Sequence, residues 1–381
     1  MPEAKKTDLG LRELGNRLRK VDETIISLVG ARKRLAQLVE KAKRRSGEKI
    51  VRLQIEDDRV ALAAKWAEQY GVNPHFARSI MYELINESCK VQLMQLQDTS
   101  TEKLLRGDQI DESWYLELKE NLMELTREVA PRYDDIYANN PLFAVFSYRR
   151  FETEVIQKII ETLPSHDLAL DLGCATGVKA FELAGNFKNV RGFDISPHMI
   201  EQANSKLLGK ATNVSFEVCD IENSLPVADG TVSLVVLNMG TASEFRNLKK
   251  TLGEIKRVLR PKGMVFFSFY NAEALLYRFE FLPWSVGLNA EINLISKCLE
   301  VHLGGDKTYL VYAEPYTVRQ AIDQVEKFFL VNYSFTYPTI SSILPNNILD
   351  DPNLRKEIEG IDLSLADKDY GSYLIVVGQK Y

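Results

Sequence analysis

Two permanent cations interrupt an apolar helical ladder. Leu11, Leu14, Leu18, Val21, Ile25, Leu28, Leu35 and Val39 step by three and four residues, and Arg32 and Lys43 occupy rungs of the same series. A buried cation without a negative partner is too costly to keep. Glu56, near the start of a second helical stretch, could neutralise one of the two. A bound anion, ideally a dicarboxylate held by a guanidinium fork and an ammonium point charge, would satisfy both. A third stretch sets Ser88 and Gln92 one turn apart on its apolar side. Three helices thus place polar groups on faces that ought to be greasy.

A second constellation lies further along. The run LALDLGCATG ends an apolar strand in Asp171, and Gly173, Cys174, Ala175 and Gly177 then form a tight turn into a helix. Small residues let backbone approach a ligand, and a helix start offers free N–H groups. A glycine turn alone also suits a purely structural strand–helix connection. Two further strands end in acids, however: Asp194 in VRGFDIS, about 20 residues on, at the spacing of a ribose carboxylate, and Asp220 in FEVCDIE. Three acids at successive strand ends, beside a glycine turn, suggest a nucleoside site.

The elements that must position these groups follow from patterning. A chain of 381 residues implies two or more domains. Residues 8–97 read as three helices, about 8–45, 54–70 and 73–97, with Ile55, Leu62, Trp66 and Tyr70 inward on the second, Gly71 as its stop, and Asn73–Pro74 opening the third. Residues 98–130 read as a helical linker. From Leu168 onward, short β-rich runs alternate with helical stretches, which means a mostly parallel sheet covered on both faces. Residues 1–52 hold 15 Lys and Arg against 7 Asp and Glu, a net of +8, leaving −13 for the remainder of a chain whose total is −5. No aromatic stacking platform accompanies the basic segment, so nucleic acid is not expected. No apolar run is long enough for a membrane, and MPEAKKTDLG has no signal-peptide pattern. Four scattered cysteines favour a reducing cytoplasm and show no metal-ligand spacing.

Over residues 131–381 the motifs DLGCATG, GFDIS, CDIENSLPVADGTVSLVVLNMG and LKKTLGEIKRVLRPKGMVFFSF resemble, in order, those of class I S-adenosylmethionine (SAM)-dependent methyltransferases. The resemblance implies a Rossmann-like seven-stranded α/β domain with SAM as cofactor. Asp171 and the 173–177 backbone would face the methionyl part and Asp194, with Ile195, the ribose. Asp220 and Ile221 would flank the adenine, and Asn238 with Met239 would lie beneath the cofactor. Elements over the cofactor then offer Tyr133, Tyr137, Tyr270 and Asn271 to the methyl acceptor, with His302 as the most base-like side chain.

Residues 8–97 look like an all-helical, three-helix chorismate mutase, on LRKVDETIISLVGARKRLAQLVEKAK and LINESCKVQLMQ. By that resemblance Arg32 and Lys43 hold a substrate carboxylate and ether oxygen. Glu56, Ser88 and Gln92 hold the hydroxyl, the second carboxylate and the ether oxygen. Catalysis of chorismate to prephenate needs a locked conformer and cations beside the developing negative oxygen. Gly15 stands where the family carries an arginine, Ile55 replaces another, and Arg52 replaces an acid. The expectation is a multidomain fusion, dimeric through its helical part, that methylates a small chorismate- or prephenate-derived acid. Two alternatives stand beside it: an inactive helical module used for dimerisation or ligand sensing, and carboxy-SAM synthesis from prephenate, with Arg278 or Arg319 as the arginine that reaction requires.

Overall fold

A computed structural model describes residues 10–46, 53–74, 76–78, 80, 81, 84, 85, 88, 112–138, 142–207, 213–278, 290–293, 297–303 and 308–381. Contacts divide the chain into two compact units, Met1–Arg106 and Gly107–Tyr381. Among the described residues no helix is long and apolar enough to cross a membrane.

The first unit holds α1 (Leu11–Ser46), α2 (Leu53–Tyr70) and helical backbone at the described positions between Pro74 and Ser88. Gly71, at φ 66°, ends α2 in the left-handed conformation that glycine adopts freely, and the Val72 N–H returns to the Ala67 carbonyl. Asn73 Oδ1 accepts from the Phe76 N–H at 3.3 Å, capping the third helix as expected. The inward face of α2 differs from expectation. Leu62, Trp66 and Tyr70 are 41%, 46% and 72% exposed, and the buried residues are Val60, Ala63, Ala64 and Ala67. Small side chains at this spacing let a neighbouring helix approach closely, which the large residues would prevent. On α1 the eight ladder residues expected inward are 41–89% exposed, whereas Ala36 is buried and Arg32, one turn before it, is half-buried.

The second unit is built on a seven-stranded sheet, order β3-β2-β1-β4-β5-β10-β9. Its strands are β1 (Leu168–Leu172), β2 (Asn189–Asp194), β3 (Val214–Val218), β4 (Val232–Leu237), β5 (Leu259–Tyr270), β9 (Leu330–Tyr337) and β10 (Tyr373–Gln379). β3 to β5 run parallel; β10 is antiparallel to β5, and β9 to β10. Helices cover both faces, so the central strands are buried on both sides: every residue of β4, Ser233 included, is buried. One face packs Leu252, Ile255, Val325 and Phe329; the other packs Ile156, Ile159, Ala180 and Ala203.

A smaller antiparallel sheet, β6 (Ala290–Asn293), β7 (Cys298–His302) and β8 (Thr308–Tyr312), joins this unit. β7 and β8 pair as an antiparallel hairpin, and β6 pairs with the other edge of β7. Helix α3 (Glu112–Val129), placed by sequence in the connecting segment, lies within this unit and packs on the small sheet. Its Leu118 meets Cys298 and Tyr312, and Leu125 and Val129 meet Tyr309 and Val311.

Candidate functional site

At the carboxyl edge of the large sheet the chain turns from β1 into the helix Val178–Leu183. The N–H groups of Gly173 and Cys174 both donate to the Phe193 carbonyl, at 2.8 and 3.0 Å, binding the turn to the end of β2. Gly173 sits at φ +74°, and a Cβ there would lie 2.6 Å from Thr241 Cγ2, so only glycine fits. Ala175 (φ 44°) and Met239 (φ 50°) adopt the left-handed region although neither is glycine. Such conformations persist only where surrounding contacts over-determine them, and they cluster at ligand sites. The contact at Ala175 is visible: its N–H donates to Asp194 Oδ2 at 2.8 Å, while the Ser196 N–H donates to Asp194 Oδ1 at 2.8 Å. Burial raises the Asp194 carboxyl and these two bonds oppose the rise.

Asp171 lies beneath the same turn, fully buried, and neither carboxylate oxygen has a hydrogen-bond partner. Burial pushes it up to about 7, with the Lys179 charge and the nearby Ala180 N–H opposing. A buried carboxylate left unsatisfied is a costly feature unless a cation arrives. Asp220, after β3, accepts from Lys119 Nζ of α3 at 2.9 Å and from the Glu222 N–H at 3.2 Å. Glu222 accepts from the Tyr115 hydroxyl and from the Asn247 N–H. Gly173, Cys174, Ala175, Asp194, Ile195, Asp220, Ile221, Asn238 and Met239 all line one cavity of about 390 Å³, a volume suited to a small ligand. Gly177 caps the helix start at φ 83° instead of lining the cavity.

On the acceptor side, Tyr133 and Tyr270 line the cavity. Asn271 does not. It is fully buried, its Nδ2 donates to the carbonyls of Asp369 and Gly371, and its Oδ1 accepts from the Glu273 N–H. These bonds pin the corner after β5 and occupy the side chain that sequence reasoning gave to substrate. Glu244, Tyr373, Lys119 and the apolar face of α3 were missed. Glu244 carried a faint signal, an acid just after the β4 loop.

In the helical unit, Arg32 Nη1 donates to the Leu84 carbonyl and to Ser88 Oγ, residues 52 and 56 positions away. Ser88 is buried and its hydroxyl donates to Leu84 O at 2.8 Å. Two of the five expected groups therefore meet. The side chains of Lys43, Glu56, Tyr137, His302 and Arg278, and all of Gln92, lie outside the described residues.

A methyltransferase-domain family model matches residues 164–314, and a chorismate mutase type II model matches residues 14–93. The chain carries a chorismate mutase type II domain followed by a class I SAM-dependent methyltransferase domain. The methyltransferase domain is similar to an uncharacterized protein of Methanocaldococcus jannaschii, 31% identical over 153 residues covering 40% of this chain and 53% of that one. It is also similar to the demethylmenaquinone methyltransferase of Leptospira interrogans, 28% identical over 141 residues, 36% of this chain and 55% of that one. The chain thus spans about half the length of these curated relatives. Among solved structures, the PH0226 protein from Pyrococcus horikoshii OT3 superposes with a TM-score of 0.42 at 18% identity, covering 61% of this chain and 91% of that one.

Membership of the methyltransferase family implies SAM, and the cleft fits it. Asp194 and Asp220 line the cavity at the expected ribose and adenine positions, and the Gly173 turn leaves room for backbone approach; Asp171 is buried beneath the turn and does not itself line the cavity, so it would act on the methionyl ammonium through its charge. A prediction follows from the Asp171 proton. Near neutrality part of the population is protonated, whereas an ammonium favours the ionised form, so binding must expel that proton. Affinity for S-adenosylhomocysteine (SAH), the demethylated product that keeps this ammonium, should rise with pH through 7 and fall by up to about tenfold per unit below it. Calorimetry at pH 6, 7 and 8 measures this. A flat profile would show that the Asp171 charge does not act on the ammonium.

Proposed function

We propose that the sheet-bearing unit is a SAM-dependent methyltransferase acting on a small molecule, and that the helical unit binds chorismate and converts it to prephenate. The observation that carries the first half is the corner formed by Asp171, Gly173 and Asp194: an unsatisfied buried acid, a turn that admits only glycine, and a carboxylate that fixes the turn's backbone. When bound, SAM supplies a methyl that is already electrophilic. The chain's task is then positioning and exclusion of water. Asp194 fixes the loop, the buried Asp171 charge attracts the methionyl ammonium from beneath the turn, and the apolar face of α3 walls the cavity. Arg319 is exposed and does not line the cavity, so it is not the arginine that carboxy-SAM synthesis would need.

The helical half rests on the meeting of Arg32 with Ser88. A chorismate-derived acceptor is inferred from the pairing of the two domains. Gly15 stands in open space and supplies no cation, so a slow rearrangement is expected. Ultraviolet decay of chorismate tests this, and Arg32→Ala should lower the rate by at least about a hundredfold, the effect of losing a charge-assisted contact to a developing oxyanion. Tight chorismate binding without decay would instead identify a ligand-sensing module.

The exposed ladder on α1 supports a homodimer. Eight large apolar residues along one face are more than a soluble protomer ordinarily leaves open. A second copy, laying the same face alongside, covers them by symmetry. Sedimentation equilibrium giving only the 43.4 kDa protomer would count against this.

A further inference from the structure

The expected cofactor contacts run along the sheet edge from β3 to β4: Asp220, Asp194, the Gly173 turn, then Asn238. The cavity continues past them, over β4, β5 and β10, and there its wall is made by Glu244, Tyr133, Tyr270 and Tyr373. Tyr270 and Tyr373 are cross-strand partners with ring centroids 5.7 Å apart. Gly240, at φ +86°, lets the Tyr270 ring lie against the β4 loop; a Cβ there would come within 2.5 Å of Tyr270 Cε1. The Tyr270 hydroxyl lies 3.5 Å from Glu244 Oε1.

Carboxylates dominate the charge on this wall, with the Arg149 guanidinium acting on Tyr133 in the opposite sense. Burial, reinforced by Asp194, pushes Glu244 up to about 7. Glu152, fully buried, is also pushed up to about 7 by burial; burial raises the Tyr373 hydroxyl, and the Glu152 and Glu244 charges add to the rise. The two cations among the described lining residues are engaged elsewhere. Lys119 pairs with Asp220 and Glu222, and Lys179 with Glu182 and Thr153. Towards α3 and the small sheet the cavity is apolar, through Leu122, Leu125, Val301 and Val311.

We propose that this wall receives a protonated amine: the methyl acceptor is a small primary or secondary amine on an apolar body. The proposal rests on the methyltransferase reading above. An ammonium is attracted by Glu244 and by tyrosine faces, whereas a carboxylate would meet the like charge of Glu244. The pairing of domains bears on where the acceptor comes from; this wall bears on its reacting end. In the transfer, the ammonium gives one proton to the Glu244 carboxylate and its freed lone pair forms the N–C bond. The C–S bonding pair stays with sulfur as a neutral thioether, and the product departs as a methylated ammonium.

The test is calorimetric, on the full chain saturated with SAH. 2-Phenylethylamine, 2-phenylethanol and phenylacetate share an apolar body and differ only in the polar end. The amine should bind at least tenfold more tightly than either of the others, and Glu244→Gln should erase that preference while SAH affinity stays within threefold. Tyr133→Phe, which keeps the ring, should retain the preference. Absence of SAH binding would overturn the methyltransferase reading and this proposal with it. SAH binding with the alcohol or the acid bound as well as the amine, or with no amine binding, would overturn the proposal alone.

Discussion

Alanine at Asp194 should reduce SAH affinity by at least about a hundredfold. The side chain has two tasks. Its oxygens accept the N–H groups of Ala175 and Ser196, each at 2.8 Å, and so hold Ala175 in a left-handed conformation it would not choose alone. It also lines the cavity, at the position expected for ribose hydroxyls. Charge-assisted hydrogen bonds are worth about 1.5–3 kcal/mol each. Losing the ribose contact and the turn's shape together corresponds to about 3–4 kcal/mol, or two to three decades in Kd. Asp194→Asn keeps the size and one acceptor, and should fall between. Calorimetry reads the affinity and circular dichroism checks the fold. An alanine variant that binds SAH within threefold of the parent would place the nucleoside elsewhere.

The second large effect concerns stability. Asp362, fully buried on the helix Pro352–Ser364, accepts the N–H groups of Thr339, Ile340 and Ser341 at 2.9, 2.5 and 3.3 Å, and the Ser341 hydroxyl at 2.6 Å. One carboxylate therefore satisfies the whole turn that follows β9. Burial raises its pKa and these bonds hold it down. Asp362→Ala strands three backbone donors, each costing about 1–3 kcal/mol when buried without a partner. A loss of about 4 kcal/mol is expected, which lowers the unfolding midpoint of a domain this size by roughly 8–16 °C. Asp362→Asn, with one oxygen still accepting, should lose about half as much. SAH affinity of the folded alanine variant should be unchanged, since Asp362 does not line the cavity. A midpoint shift under about 2 °C would show that water satisfies the turn.

What could be read in advance followed from residues whose constraint is local. The β1 run and its glycines announce themselves because a buried parallel strand needs continuous apolar residues and the turn needs positive φ. Asn73 and Gly71 were legible for the same reason, since caps are written within four residues. Asn271 was not, because its partners Asp369 and Gly371 are about 100 positions away and only the β5–β10 pairing brings them near. The inward face of α2 was misread since periodicity identifies an apolar stripe without saying what covers it. Leu62 and Trp66 are as apolar as any core residue, yet the buried stripe is alanine-rich. Glu244 escaped notice because a single acid in a loop has no pattern.

Helix α3 bears on where this protein can be divided. Its Lys119 and Tyr115 grip the acids after β3, its Thr126 hydroxyl is 2.8 Å from that of Ser196, and its leucines form one side of the cavity. A fragment starting at Pro131, the first residue of the stretch assigned to the methyltransferase by its motifs, would lose the roof of its own pocket and bare the apolar back of the β7–β8 hairpin. Separating the two domains cleanly therefore means cutting before Glu112, and any survey that trims such proteins to their signature motifs would be assaying an opened cup.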